Sequence, residues 1–238
     1  MVDRPDHAEL VRDSVALTAG ERTAALRFLP TRIRVQPSLD ERVAERSPLL
    51  GQAMRAAGDM RQRAMTRLQI SDIPVPAGRI DFKNQRSLYC EDEGQWTLTA
   101  PGLEFMGEPG EWEQVVSDDD ALVDHIDPLW LLQLIAGLVE ASEDGDEAVL
   151  GEPCKRYRTV ASFAVANARS KRKMEPPSSR GDLDLDRLPI DVWVDAAGRI
   201  RRAILHGDQS LTLLELSDFG RPDAIDLPES DEILPDEN

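Results

Sequence analysis

Hydrophobic and polar residues alternate most clearly between Ile190 and Leu205. Three apolar side chains, Ile190, Val192 and Val194, are interleaved with Asp191, Trp193 and Asp195. Because successive side chains of a strand point to opposite faces, this pattern predicts a strand. Gly198 permits the positive φ of a tight turn, so a second strand is expected to return through Leu205. A third strand is predicted over Leu211–Leu216, with apolar residues on both of its faces, as expected for a sheet that is covered on each side or that lines a cavity.

A run of short strands is predicted upstream, between Gly78 and Val116. The expected strands are Arg79–Phe82, Arg86–Cys90, Trp96–Thr99, Leu103–Met106 and Trp112–Val116, separated by turns rich in Gly and Pro. Such spacing favours an antiparallel meander. The segment Asp127–Val139 then predicts a buried helix, because Asp127 can cap it, Pro128 suits its first turn and nearly every later position is apolar. Ala166–Asp186 is expected to be a loop.

Two further helices are predicted nearer the N-terminus. Thr18 and Glu21 have the spacing of a capping box, which indicates a short helix to about Leu29. A longer helix is expected over Ser47–Leu68, where the apolar stripe includes Met54 and Met65. These methionines suit either an adaptable ligand-facing surface or an ordinary core.

The net charge of −17 is distributed unevenly over the 238 residues. The window 87–154 contains 18 acidic residues and no Lys or Arg, whereas the rest of the chain has 27 acidic and 28 basic residues. A field of this sign repels phosphate backbones, so nucleic acid is not an expected partner. The acidic window is either a solvated surface or a docking face for a basic protein partner.

Motifs of known catalytic or metal sites are missing from the sequence, and neither an enzyme activity nor a cofactor is expected. His125 lies between Asp124 and Asp127, an arrangement that suits either a base with an orienting carboxylate or a plain surface histidine. Cys90 and Cys154 are the only cysteines. We expect two buried thiols, since the sequence shows neither a signal peptide nor a membrane-spanning apolar run and a cytoplasmic location is predicted.

Several segments together resemble the actinobacterial lipoproteins of the LppX/LprG type, which share the LolA-like half-barrel. The resemblance is carried by Gly78–Phe82, Gly110-Glu-Trp112, Asp127-Pro-Leu129, Gly151–Tyr157, Leu188-Pro-Ile-Asp-Val-Trp-Val-Asp-Ala-Ala-Gly-Arg199 and Leu216-Ser-Asp-Phe-Gly220. It implies an α+β fold in which a strongly curved antiparallel β-sheet wraps around helices. From the sequence as written, we expect the chain to differ from the family in having no signal peptide and no lipidated N-terminal cysteine.

The resemblance also implies a domain division and a binding site. Residues 1–46 are expected to be an N-terminal extension, 47–234 the half-barrel domain and 235–238 an acidic tail. Family members carry lipids or glycolipids in a hydrophobic cavity between sheet and helices. The expected lining residues here are Met54, Met65, Leu131, Leu134, Ile135, Leu138, Ile204 and Leu213. The predicted function is therefore non-enzymatic binding of a lipid or other apolar ligand, and the alternative is a protein-interaction or regulatory role that uses the acidic surface without a ligand.

Overall fold

A computed structural model of the chain describes residues 6–31, 77–92, 94–115, 126–170, 174, 176, 184–207, 211–222 and 224–234. Within these ranges the helices are α1 (His7–Gly20), α2 (Pro128–Ile135) and α3 (Phe163–Arg169). The strands are β1 (Thr23–Thr31), β2 (Ala77–Asp81), β3 (Arg86–Asp92), β4 (Gln95–Ala100), β5 (Leu103–Glu108), β6 (Glu111–Gln114), β7 (Leu138–Val149), β8 (Glu152–Ala161), β9 (Leu188–Asp195), β10 (Ile200–His206) and β11 (Leu211–Ser217).

The strands form one antiparallel sheet in the order β6-β5-β4-β3-β2-β1-β11-β10-β9-β8-β7. Every pair of consecutive strands is adjacent in the sheet except β6 and β7, and the single pairing of non-consecutive strands is that of β1 with β11. The sheet is curved and unclosed, with β6 and β7 at its two ends. This confirms the predicted α+β fold with a curved antiparallel sheet and helices.

Alternation along the strands gives the sheet two distinct faces. The helix face carries Ala203, Leu205 and Leu214, which share one buried apolar core with residues of α1, α2 and α3. The outer face carries the intervening residues, such as Ile204, which stands opposite Leu213 in the β10–β11 register. Both faces of β11 are buried from Leu211 to Leu216, as its sequence predicts.

The hairpin that opened the sequence analysis forms as predicted. Ile190, Val192 and Val194 lie in the helix-face core, and Gly198 has a φ of +80° in the turn between β9 and β10. The meander of five strands upstream is also confirmed, with β2 to β6 within two residues of the predicted bounds.

The N-terminal prediction was wrong over the described residues. The helix lies before Thr18 and Glu21, is capped by Asp6 and ends at Gly20, while the segment expected to be a helix to Leu29 is strand β1. Thr18 does not cap a helix: its Oγ1 donates to the Ser14 carbonyl and accepts from the Ile200 N–H. Since β1 pairs along its length with β11, at least residues 23–31 of the expected extension belong to the main sheet.

Two other boundaries differ from prediction. The helix expected over Asp127–Val139 ends at Ile135, and Leu138 already begins β7. The expected loop from Ala166 instead begins inside α3. Residues 32–76, His125 and residues 235–238 lie outside the described residues, and with them the predicted helix Ser47–Leu68 and the acidic tail.

Gly137, just after α2, allows the chain to approach α3 closely. A Cβ at Gly137 would lie 2.5 Å from both the Cβ and the backbone nitrogen of Ala166. Only a residue without a side chain allows this approach of the two segments. We expect Gly137→Ala to lower the free energy of unfolding by about 1–3 kcal/mol, because backbone atoms of α3 would have to move.

Gly20 offers the matched control for this substitution. It lies at the end of α1, and a Cβ there would meet no atom within 4 Å. Gly20→Ala should leave stability unchanged or raise it by up to about 1 kcal/mol. Urea unfolding of both variants tests the packing of α2 on α3, which is refuted if the two variants are equally stable.

Candidate functional site

The candidate site is the apolar layer between α2 and the helix face of the sheet. Helix α2 begins at Asp127, whose carboxylate accepts a 2.9 Å hydrogen bond from the Trp130 N–H, and Pro128 occupies its first turn. Its sequence, PLWLLQLI, has one polar side chain, Gln133. An eight-residue helix of this composition is buried on more than one side, as its sequence indicates.

The buried part of this layer is almost entirely apolar. Leu131, Leu134 and Ile135 of α2 and Leu138 at the start of β7 are completely buried. The sheet residues that share their core are Ala24, Leu26, Phe28, Ile80, Tyr89, Tyr157, Ala161, Leu188, Ile190, Val192, Val194, Ile200, Ala203, Leu205, Leu214 and Leu216. Tyr157 and Tyr89 are the polar-tipped members, and burial raises the pKa of the Tyr157 hydroxyl.

The same apolar layer reaches the surface beside α2 and α3. Trp130 and Phe163 stack with their ring centroids 6.3 Å apart, and both are only half-buried. The Phe163 N–H donates to the Leu185 carbonyl, which brings the half-buried Leu185 next to this pair. We name Trp130, Phe163 and Leu185 the apolar rim. The rim was not predictable from the sequence because its members come from three separate segments.

The structure brings together only some of the residues predicted to line the site. Leu131, Leu134, Ile135 and Leu138 lie in one cluster. Ile204 and Leu213 are buried but lie on the outer face, opposite to the helices, because their neighbours Ala203, Leu205 and Leu214 occupy the helix face. They do not line the same space. Met54 and Met65 lie outside the described residues.

The outer face of β8–β11 carries a buried network of charges. The Glu215 carboxylate is fully buried and accepts hydrogen bonds from Arg27 and Arg202, each at 2.7 Å. Arg156 and Asp191, both almost completely buried, form a 2.6 Å ion pair. Such charges are tolerated in an interior only when they are paired.

Trp193 lies at the centre of this network. The guanidinium groups of Arg156 and Arg202 lie 5.1 and 5.3 Å from its ring centroid, within the range of cation–π attraction. Its indole N–H donates to a Glu147 carboxylate oxygen at 3.2 Å. Charged residues between apolar ones in β9, β10 and β11 were the sequence signal for this network, since they place ionic side chains in strands that are buried on both faces.

The network contains a histidine but no free carboxylate base. His206 Nε2 lies 3.3 Å from the Asp191 carboxylate, which Arg156 already holds. Glu215 is likewise held by two arginines. Among the described residues, no three His, Cys, Asp or Glu side chains come together as a metal site. The arrangement therefore fits a structural role for these ions rather than proton transfer.

Two segments that carry the family resemblance, Leu188–Arg199 and Leu216–Gly220, connect the β9–β10 turn to the end of α1 through side-chain contacts. Asp195 accepts hydrogen bonds from the backbone N–H groups of Ala197 and Arg199, and it forms a 2.9 Å ion pair with the Arg199 side chain. This hydrogen bonding raises the pKa of Arg199. Arg199 also reaches Glu21, which follows α1, and lies 4.6 Å above the Phe219 ring.

The acidic window does not form one surface of the sheet. Its residues span β3 to β7, and these strands lie at both ends of the sheet order. The β7 acids are neutralised by neighbouring strands: Glu143 pairs with Lys155 at 2.7 Å, which lowers the pKa of Glu143, and Asp144 pairs with Arg158 and Arg156. At the other end, the exposed Glu108, Glu111 and Glu113 have no ion pair with any described residue.

Both cysteines are buried and unpaired, as predicted. Burial raises the pKa of the Cys154 thiol, which opposes formation of the reactive thiolate. No helix within the described ranges has the length and apolar character needed to cross a bilayer.

Comparison with solved structures identifies the architecture. LprF from Mycobacterium bovis matches with a TM-score of 0.51 at 14% identity, covering 94% of this chain and 98% of that one. Lipoprotein LppX from Mycobacterium tuberculosis gives the same TM-score at 12% identity, covering 93% and 100%. The fold is that of LprF and LppX. No family model matches the chain, and no curated protein matches it by sequence. At these identities LprF and LppX establish the fold alone.

The buried network predicts a large difference between two Glu→Gln substitutions. Glu215→Gln removes the anion that Arg27 and Arg202 share and leaves Arg202 only its longer, 3.6 Å ion pair with Glu147, so we expect the free energy of unfolding to fall by about 3 kcal/mol. Glu140→Gln removes an ion pair with Arg187 in which both side chains are more than half exposed, and it should cost less than about 1 kcal/mol. Urea unfolding measures both, and equal losses would contradict the assignment of Glu215 as the network's anchor.

Proposed function

We propose that the protein is a non-enzymatic binding protein that holds a lipid or other apolar ligand between α2 and the helix face of the sheet. The observation that supports this most directly is the continuity of the apolar layer from the fully buried Leu134 to the half-buried apolar rim. An apolar chain could follow this layer from the surface inward without meeting an ion. The family resemblance implies an acyl-chain cavity in this same space.

The rim is the entrance in this proposal. Stacked aromatic rings present a large apolar area and are favoured where one side of a residue is wet and the other dry. Trp130 belongs to α2 and Phe163 begins α3, so a small outward movement of either helix would separate the rings. In this proposal the ring contact controls access to the layer beneath.

Two adjacent residues of β10 allow a matched test. Ala203 is fully buried on the helix face, whereas Ile204 is buried on the outer face. We expect Ala203→Phe to fill the ligand space, so that apolar molecules co-purifying with the wild-type protein are lost. Ile204→Phe should keep them. Native mass spectrometry and solvent extraction of the purified proteins measure this.

The stability of the Ala203→Phe variant distinguishes a ligand space from an ordinary, filled core. If Ala203 borders a ligand space, Ala203→Phe should retain most of the wild-type stability, whereas overpacking a filled core costs about 1–3 kcal/mol. The proposal fails if wild-type protein neither carries nor takes up an apolar probe such as a fluorescent fatty acid. It also fails if both Phe variants bind that probe as the wild type does.

A second candidate function is a protein-interaction role that uses the acidic surface without a bound ligand. It is favoured by the exposed carboxylates of Glu108, Glu111 and Glu113 near the β6 end of the sheet. A triple Glu→Gln variant of these positions, compared with wild type in pulldowns from the source cytoplasm, tests it. A defined basic protein held by wild type at low salt and lost in the variant supports this role, and equal capture by both contradicts it.

A further inference from the structure

A second, smaller apolar cluster lies on the outer face at the β6 end of the sheet. Leu98, Phe105 and Trp112, from β4, β5 and β6, are almost completely buried there, with Leu88 and Trp96 beside them. We name these five residues the outer patch. The patch is separate from the core beneath the helices, since the register places its members on the opposite face.

The outer patch is covered by the segment 224–234, which we name the strap. Ile225, Leu227 and Ile233 of the strap pack on the patch. Ile233 forms an isolated parallel bridge with Trp112: the Trp112 N–H donates to the Glu232 carbonyl at 2.8 Å, and the Leu234 N–H donates to the Trp112 carbonyl at 2.7 Å. The strap thus occupies the hydrogen-bonding edge of β6, a place where a sheet can accept an added strand.

The attachment of the strap is short. Besides the two hydrogen bonds to Trp112, the described contacts include one from Arg86 to the Ile225 carbonyl. By comparison, β5 and β6 pair over four consecutive positions. A segment held by a single bridge and three apolar side chains opens more readily than a strand inside the sheet.

The charges of strap and edge do not complement each other. Neither 87–154 nor 222–238 contains a Lys or Arg. Glu232 precedes Ile233 in the bridge as Glu111 precedes Trp112, and the Glu232 carboxylate accepts a 2.8 Å hydrogen bond from the Glu229 N–H. Glu111 and Glu113 are exposed, as are Asp226, Glu229 and Asp231 of the strap. Like charges facing each other across paired strands destabilise the pairing.

We propose that the strap occupies a docking site for a protein partner, and that the partner supplies an extended segment with apolar residues at the strap's spacing and basic residues where the strap has acids. Such a segment would keep the apolar contacts and the two backbone hydrogen bonds while replacing repulsion by attraction. It would bind by displacing the strap from β6. This inference deepens the second candidate function and is independent of an apolar ligand beneath α2.

A synthetic peptide tests the proposal with the full-length protein. The probe is the sequence of residues 222–234 with Asp223, Asp226, Glu229, Asp231 and Glu232 changed to Lys, carrying a fluorophore. We expect it to bind in anisotropy titrations and to weaken about tenfold or more between 50 and 300 mM salt, as charge screening demands. Hydrogen exchange should show the Leu234 amide losing protection when the peptide binds, because the strap leaves β6.

Two control peptides separate docking from simple attraction to an acidic protein. One keeps the lysines but has Ala at the positions of Ile225, Leu227 and Ile233, and the other is the native acidic sequence. Both should bind at least about tenfold more weakly than the probe if apolar contacts and charge act together. Equal binding of the probe and its Ala version, or binding that leaves the Leu234 amide protected, overturns the proposal.

Adjacent strap residues give a matched pair of protein variants. Ile233→Asn should loosen the strap and tighten probe binding several-fold, because Ile233 packs on the outer patch. Leu234→Asn, at an exposed side chain of the same strap, adds no charge and should leave probe binding unchanged. Identical affinities in these two variants contradict displacement. Probe binding should survive in Ala203→Phe, so a failure of the apolar-ligand proposal would be distinguishable from a failure of this one.

Discussion

The sheet depends on β1, the strand that joins its two halves. On one side β1 pairs with β2 and continues into the meander of β3 to β6, and on the other it pairs with β11 and the hairpins of β7 to β10. Alternation within β1 serves both faces: Leu26 and Phe28 pack beneath the helices, whereas Arg27 pairs with the buried Glu215. Without this strand the two halves would expose long unpaired edges.

Strands β9 to β11 contain many charged residues although both of their faces are buried. A strand covered on both sides needs either apolar residues or fully paired ions on each. The helix face carries mainly apolar residues, with Thr212 as a buried polar member, and the outer face combines Ile204 and Leu213 with the Arg–carboxylate network around Trp193. An apolar ligand site is compatible with the first face only, because the ions of the second are committed to each other.

The hairpin and the meander were predictable because their signals are local. Alternation in Ile190–Val194, the turn at Gly198 and the cap at Asp127 each act within a few residues. Segment 23–31 was misread because the Thr18–Glu21 spacing suggested a cap, although Thr18 is used by a distant backbone group in β10. The period-two pattern of Ala24, Leu26 and Phe28 was present but competed with that spacing. The face occupied by Ile204 and Leu213 was not predictable from the strand sequences. Alternation defines two faces, but only the position of the helices determines which face they cover.

Acidic residues are ion-paired at the β7 end of the sheet but not in β6, and this difference follows from the order of the strands. Strand β7 lies beside β8, whose Lys155, Arg156 and Arg158 come from just beyond the acidic window and reach back across the ladder. Strand β6 lies beside β5, which belongs to the same acidic window, and its other neighbour is the acidic strap. Adjacency in sequence thus places bases beside the β7 acids and leaves the exposed Glu111 and Glu113 of β6 between two acidic segments. Electrostatic attraction to a partner of opposite charge would therefore be strongest at the β6 end.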